Sequence, residues 1–327
     1  MPATSTPRRP RGGNVTPEVW SVKLLSGQVS LSPMQEQILA CLTQHRLMTT
    51  RQLQALVAAD YRCGREFLSR SLQRLAAAEL VASTPVQHER NTKAWWVTPA
   101  GRARVASALR PRAYVMTAGR ADSNLQAHTL LANQIGVEFV RHGRDRDVPI
   151  GYLDWDNEIG HRVRDGETEA SNLVSDLRLR FVLPSDADGD SGVVCLIEAD
   201  RGTETVLALT EKVRNYTRLL TYIPAEARRA GDTVPNWRRH YRRFPRVLIV
   251  FADKQAAVLE RRAEQLLGFC GEDPFINQHL DRLGLLCTTM TQLTDHGPFE
   301  PIFWDAFGHN VDIIGTPPKR RTPSRPA

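Results

Sequence analysis

The sequence predicts two unlike folded parts: an α+β module near the N-terminus and a larger α/β domain built on a mixed sheet. Three observations carry the prediction. Apolar residues recur at helical spacing three times between Leu31 and Leu80, then give way to two short strand-like runs. From about residue 121, helical stretches alternate with apolar strands. The length of 327 residues exceeds one ordinary domain and suits two with tails.

Residues 1–29 and 317–327 are basic and proline-rich, have little to bury, and read as disordered tails. The first helix opens at LSPMQEQILACLTQHR. Ser32 is an N-cap there, Pro33 suits the first helical position, and Met34, Ile38 and Leu42 repeat every four residues. Thr49 and Thr50 cap a short second helix, RQLQALVAA. A break at residues 61–64 leads into a third, REFLSRSLQRLAAAEL, with Phe67, Leu68, Leu72, Leu75 and Leu80 expected on its inner side. The runs LVAST and KAWWVT flank the polar turn QHERN, and Pro99 starts a further helix. Three helices followed by a hairpin is the order of a winged helix-turn-helix, here spanning residues 30–110.

After a linker near residues 110–120, the α/β domain at 121–316 begins with the helix SNLQAHTLLANQIGVEFVRHG, capped by Asp122 or Ser123. Strand candidates follow in LVSDLRLRFVL, GVVCLIEAD and FPRVLIVFAD. A long helix, TETVLALTEKVRNYTRLLTYI, separates the last two. The helix KQAAVLERRAEQLLGFC and a last strand, GLLCTTMTQL, complete the domain.

A net charge of +7 and a pI near 9.4 favour a polyanionic partner. The five scattered cysteines, without a C-x-x-C pair, argue against a disulfide framework and a structural zinc site. No apolar run reaches membrane-spanning length, and no apolar segment follows the basic start as a signal peptide requires. A cytoplasmic location without membrane contact is the expectation.

Charge placement gives the first module its expected role. Its third helix carries Arg65, Arg70 and Arg74, with Arg62 just ahead, and the wing turn carries His88, Arg90 and Lys93. Such donors suit the base edges and phosphates of double-stranded DNA. A winged helix used for protein contacts is the alternative.

The segment VVCLIEADRG is the one richest in chemistry. Val193 to Ile197 is apolar on both faces, as in a central strand, and the run ends in Glu198 and Asp200, which share a face. Buried carboxylates require a cationic answer. The preceding strand supplies Asp176, on the same face as Arg178 and Arg180. Three acids from neighbouring strands would suit a hard cation such as Mg²⁺. Ion pairs with Arg178, Arg180, Arg201 or Lys212 are the competing explanation.

This arrangement resembles the PD-(D/E)xK restriction-endonuclease-like fold, with Asp176 on one strand, Glu198-Ala199-Asp200 on the next, and then a helix. Lys212 and Tyr216, four residues apart on that helix, are similar to the Gln-x-x-x-Tyr motif of exonuclease-type members, and Glu158 matches an acid from an earlier element. The resemblance implies catalytic roles for Asp176, Glu198, Asp200, Lys212 and Tyr216, with Mg²⁺ held by the three acids. Two positions depart from it. Asp200 stands where the catalytic lysine belongs, and Ser175, not proline, precedes Asp176. Lys212 is the nearest substitute cation, and an inactive nuclease-like domain fits as well.

More of the chain, roughly residues 30–310, resembles the replication-relaxation family of actinobacterial plasmids, integrative elements and phages. The similarity runs through the winged helix, the Trp-Val-Thr-Pro-Ala-Gly stretch, Leu125-x-x-His128, Trp155 and Glu158. It continues in Glu198-x-Asp200-Arg201-Gly202-Thr203-Glu204, Lys212 and Tyr216, and ends in Pro301-x-x-Trp304. It implies a DNA-binding accessory protein of a mobile element, acting in replication or DNA relaxation. Replication or conjugation proteins are its implied partners, and a homodimer is compatible. A metal-dependent nuclease or nickase and a winged-helix transcriptional regulator are the other readings.

Other features read more plainly. His128 is expected in the core, Trp95 and Trp96 as packing, and the run NWRRHYRRFPR as either a nucleic-acid stretch or a solvated loop. No P-loop, dinucleotide fingerprint, G-x-S-x-G or H-E-x-x-H occurs.

Overall fold

A computed structural model describes residues 30–87, 89–106, 116–123, 125–166, 168, 172–183 and 191–315. Both expected tails, most of the expected linker and His88 lie outside the described residues.

Helix α1 (Pro33–His45) starts with a reciprocal cap, in which Ser32 accepts from the Gln35 N–H and the Gln35 side chain accepts from the Ser32 N–H. Strand β1 (Met48–Thr49) leads into α2 (Thr50–Leu53), where Thr49 and Gln52 repeat the device. The helix continues as a π turn over Gln54–Ala58. Helix α3 (Arg65–Ala77) buries Leu68, Ser71, Leu72 and Leu75. Phe67, expected inside, is 49% exposed. It lies one residue ahead of the buried stripe, about 100° around the helix. Strands β2 (Val81–Pro85) and β3 (Lys93–Val97) form the hairpin, and β1 joins it in a three-stranded antiparallel sheet of order β1-β3-β2. Helix α4 (Pro99–Val105) sits so close to the hairpin base that a Cβ on Gly101 would lie 1.9 Å from the Leu80 carbonyl oxygen. This is the winged-helix arrangement, with one strand more than the sequence reading anticipated.

Helices α5 (Ala118–Ala121) and α6 (Leu125–Asp145) precede a second sheet. Its strands are β4 (Trp155–Arg162), β5 (Asn172–Leu183), β6 (Ser191–Asp200), β7 (Arg246–Phe251), β8 (Leu285–Thr289), β9 (Phe303–Asp305) and β10 (Asn310–Val311). They stand in the order β10-β9-β8-β7-β6-β5-β4. Strands β4 to β6 are an antiparallel meander, whereas β6, β7 and β8 run parallel, so the sheet is mixed. Helices α7 (Val206–Thr221) and α8 (Ala225–Arg229) join β6 to β7. Helices α9 (Ala256–Glu272), α10 (Pro274–Asn277) and α11 (Leu280–Leu283) join β7 to β8. The run GLLCTTMTQL, read as one strand, divides at Thr289. The Thr289 hydroxyl caps the Gln292 N–H and turns the chain into α12 (Met290–Asp295).

The sheet is covered on both faces. Phe139 and Ile135 of α6 meet Leu177, Leu179 and Ile197 on one side, and Val213 of α7 and Leu266 of α9 meet Leu196 and Ile249 on the other. The first of these cores continues into Ile38, Leu42 and Leu72 of the winged part. Polar contacts reinforce the union. Asn133 Nδ2 donates to the carbonyls of His45 (2.9 Å) and Leu47 (2.7 Å), and Gln52 Nε2 donates to the Leu130 carbonyl (2.8 Å). Among the described residues no helix is long and apolar enough to cross a membrane.

Candidate functional site

A break in the β4–β5 ladder creates the acidic cluster. Pairing lapses where Glu158 faces Asp176, and Glu158 adopts φ 51°, a left-handed conformation uncommon outside glycine. Both strands change phase there. Trp155 and Asn157 face α6 but His161 meets Tyr241, and Leu177 and Leu179 face α6 but Ser175 meets Tyr216 of α7. Asp176 is thereby turned out of line with Arg178 and Arg180, both of which pair with Asp156. It bonds instead to His128 Nε2 of α6 at 2.9 Å, and its other oxygen accepts the Ala199 N–H at 2.8 Å.

Glu198 lies beneath this pair, almost wholly buried. The Tyr216 hydroxyl donates to its Oε1 at 2.5 Å and lies 2.8 Å from Ser175 Oγ, while the Lys212 ammonium stands 3.3 Å from Oε2. Burial, and then the charge of Asp176, push the Glu198 carboxyl up to about 8 despite Lys212 and Tyr216. Burial also drives the Tyr216 phenol well above its usual range, with Glu198 adding to the shift. For Lys212, burial works against the charge, but Glu198, Asp176 and Glu204 outweigh it and hold the ammonium protonated. His128 is raised chiefly by its hydrogen bond to Asp176. It is not the core histidine expected from its helix face, because the turned-out Asp176 draws it to the surface of a cleft.

Asp200 belongs to a different cluster. It shares the sheet face of Glu198, as expected, but its carboxylate is paired with Arg262 of α9 at 2.5 Å and accepts the Gly202 N–H at 3.0 Å. Arg262 also donates to the Glu204 carbonyl, and Arg201 pairs with Asp253 at 2.6 Å. Asp200, through Gly202 and Arg262, thus shapes the turn from β6 into α7. Among the described residues no group of three or more His, Cys, Asp or Glu side chains is placed to hold a metal ion. Asp176 has both oxygens engaged, and the one Glu198 oxygen without a hydrogen bond faces Lys212. The charge that stands beside Glu198 in this geometry is the Lys212 ammonium. Arg262 escaped the sequence reading because it lies 62 residues from Asp200. Its only local signal was an arginine set among the buried Leu259, Ala263 and Leu266.

The expected DNA-contacting residues lie apart from this cluster. Arg70 and Arg74 are exposed on the side of α3 away from its buried stripe, Arg65 is exposed in its first turn and Arg62 just ahead of it, and Arg90 and Lys93 are exposed on the wing. Trp95 and Trp96 are buried, and the Trp95 indole donates to Thr50 Oγ1. In the Asn236–Arg239 turn and beyond, Trp237 and Tyr241 are also buried, leaving Arg238, Arg239, Arg242 and Arg243 in solvent. Trp237 and Tyr241 therefore offer no stacking surface, and Phe244 is half-buried with its ring edge-on to Trp237. Between the wing and the β6–α7 turn lies a cleft of about 1260 Å³, with Arg65 and Lys93 on one wall and His128 and Arg201 on the other.

No curated protein matches the chain. The zinc-responsive MarR family member ZitR of Lactococcus lactis is 16% identical, with 38% of this chain and 77% of that chain covered and a TM-score of 0.21. A double mutant of ZitR gives 17% identity, 38% and 76% coverage and a TM-score of 0.21. The sequence profile of the replication-relaxation family matches residues 39–234, more than half of the chain, and takes in α3, the wing, His128, Asp176, Glu198 and Lys212. The chain belongs to the replication-relaxation family.

Proposed function

We propose that this protein is a DNA-binding accessory factor of a plasmid or phage, acting in replication or DNA relaxation. Its winged helix targets double-stranded DNA, and its α/β domain adds grip or partner contacts without cutting. The observation that carries this reading is the set of arginines Arg65, Arg70 and Arg74 on α3, with Arg62 just ahead of it, all exposed and forming no ion pair among the described residues. Long cations left without acidic partners on a helix that can enter a major groove are suited to phosphates and base edges.

The order α6-β4-β5-β6-α7-β7, with an antiparallel meander followed by a parallel strand, supports a restriction-endonuclease-like origin for the second domain. Its chemistry has been rebuilt: Arg262 holds Asp200 at the lysine position, and Tyr216 covers Glu198. A second reading, a Mg²⁺-dependent nuclease or nickase, is favoured by one observation, the Lys212 ammonium 3.3 Å from Glu198. Incubation of supercoiled DNA with the protein and Mg²⁺ or Mn²⁺ separates the two. Retained supercoils with slowed migration of the bound DNA are expected. Metal-dependent nicking that Asp176→Ala and Glu198→Ala abolish would replace the first reading with the second.

A further inference from the structure

The cleft between the two modules has a composition that points to a ligand. One wall comes from the winged part, with Arg51 of α2, Arg65 of α3 and Lys93 of β3; the other carries His128 of α6 and Arg201 of the β6–α7 turn. At about 1260 Å³ it exceeds the roughly 300–1000 Å³ typical of small-molecule sites. Among the described residues no phenylalanine, tyrosine or tryptophan lines it, so they provide no platform for stacking bases. Cations predominate: Arg201 and Asp253 pair with each other, which leaves Arg51, Arg65 and Lys93 against Glu89. Arg51 is exposed and forms no ion pair among the described residues. The walls are held in register by the bonds from Gln52 to Leu130 and from Asn133 to His45 and Leu47.

We propose that this cleft is a second DNA contact, one that grips the phosphodiester backbone without reading bases and holds DNA flanking the segment bound by α3. The inference rests on the DNA-binding reading above. A strand of the same duplex and a single-stranded extension present the same phosphates, and both can enter. Phosphate contacts of this kind fix position and register but carry no sequence information.

The test measures binding of the full chain to two labelled DNAs across a salt series: a random-sequence duplex, and the same duplex with a single-stranded extension. The variant Arg51→Glu/Arg201→Glu changes neither α3 nor the wing. It is expected to bind about tenfold more weakly at fixed salt, with the salt slope reduced by roughly one phosphate contact for Arg51 and by up to roughly two if Arg201 leaves Asp253 for a phosphate. Arg51→Lys/Arg201→Lys is expected to restore most of the affinity. A loss on both DNAs assigns the cleft to the duplex, and a loss confined to the extended DNA assigns it to the single strand. Unchanged affinity and slope in the Glu variant, with weakened binding by Arg70→Ala/Arg74→Ala, would overturn the cleft contact and leave the winged-helix reading standing. If the unaltered protein binds neither DNA, both readings fall.

Discussion

Glu198 resists ionisation because it is buried next to Asp176, and this sets the sign of its effect on stability. A carboxyl raised to about 8 in the folded chain contributes stability fully present below its usual value near 4.5 and lost as pH rises through about 8. His128, also raised, acts in the same direction around its own titration. Unfolding measured from pH 5 to pH 9 is therefore expected to show falling stability, at up to about 1.4 kcal/mol per pH unit for each proton retained. Glu198→Gln, which can still accept from Tyr216, is expected to flatten that slope; an unchanged slope would show that Glu198 ionises freely. Asp200 answers to a different partner. Arg262→Ala leaves a buried carboxylate without its cation, and a loss of about 3–5 kcal/mol in urea unfolding is expected. The double variant Asp200→Asn/Arg262→Met is expected to recover much of it. A cost below 1 kcal/mol for Arg262→Ala would mean that the ion pair is solvated.

Helix α6 is the element on which the rest of the architecture depends, since it faces both the winged part and the second sheet. Gly136 makes this packing possible: a Cβ there would lie 2.6 Å from the Trp155 ring, which stacks at 3.9 Å on His45 of α1. Helix propensity alone favours alanine over glycine by about 1 kcal/mol. Gly136→Ala is nevertheless expected to destabilise, because overpacking costs about 1–3 kcal/mol, and a rise in melting temperature would contradict the packing. The elements differ in how far they could be read from sequence. Capped amphipathic helices such as α1 announce themselves, because Ser32, Pro33 and the Met34-Ile38-Leu42 repeat are local signals. Strand β4 did not, because WDNEIGHR is mostly polar and reverses its faces at Glu158. Strands β9 and β10 are too short to show a period. In the site, Glu198 was legible from strand spacing, and Lys212 and Tyr216 from the resemblance of their four-residue spacing to a nuclease-type motif. The bonds from Asp176 to His128 and from Asp200 to Arg262 are set by tertiary packing across 48 and 62 residues.

At the scale of the whole molecule, one continuous apolar core joins Ile38, Leu42 and Leu72 of the winged part to Phe139, Leu177 and Leu248 of the second sheet. Calorimetry is therefore expected to show a single cooperative transition; two resolved transitions would mean that the halves unfold independently. A fixed relation between the halves also fixes where DNA bound on α3 meets the remainder of the surface, in keeping with a net charge of +7. The claim on which everything functional depends is that the arginines of α3 hold DNA. The most direct test is the salt dependence of duplex binding by the unaltered protein and by Arg70→Ala/Arg74→Ala. Weaker binding is predicted for the variant, with the slope of log affinity against log salt reduced by about two phosphate contacts. Equal affinity and equal slope would contradict it and place the DNA-binding surface elsewhere.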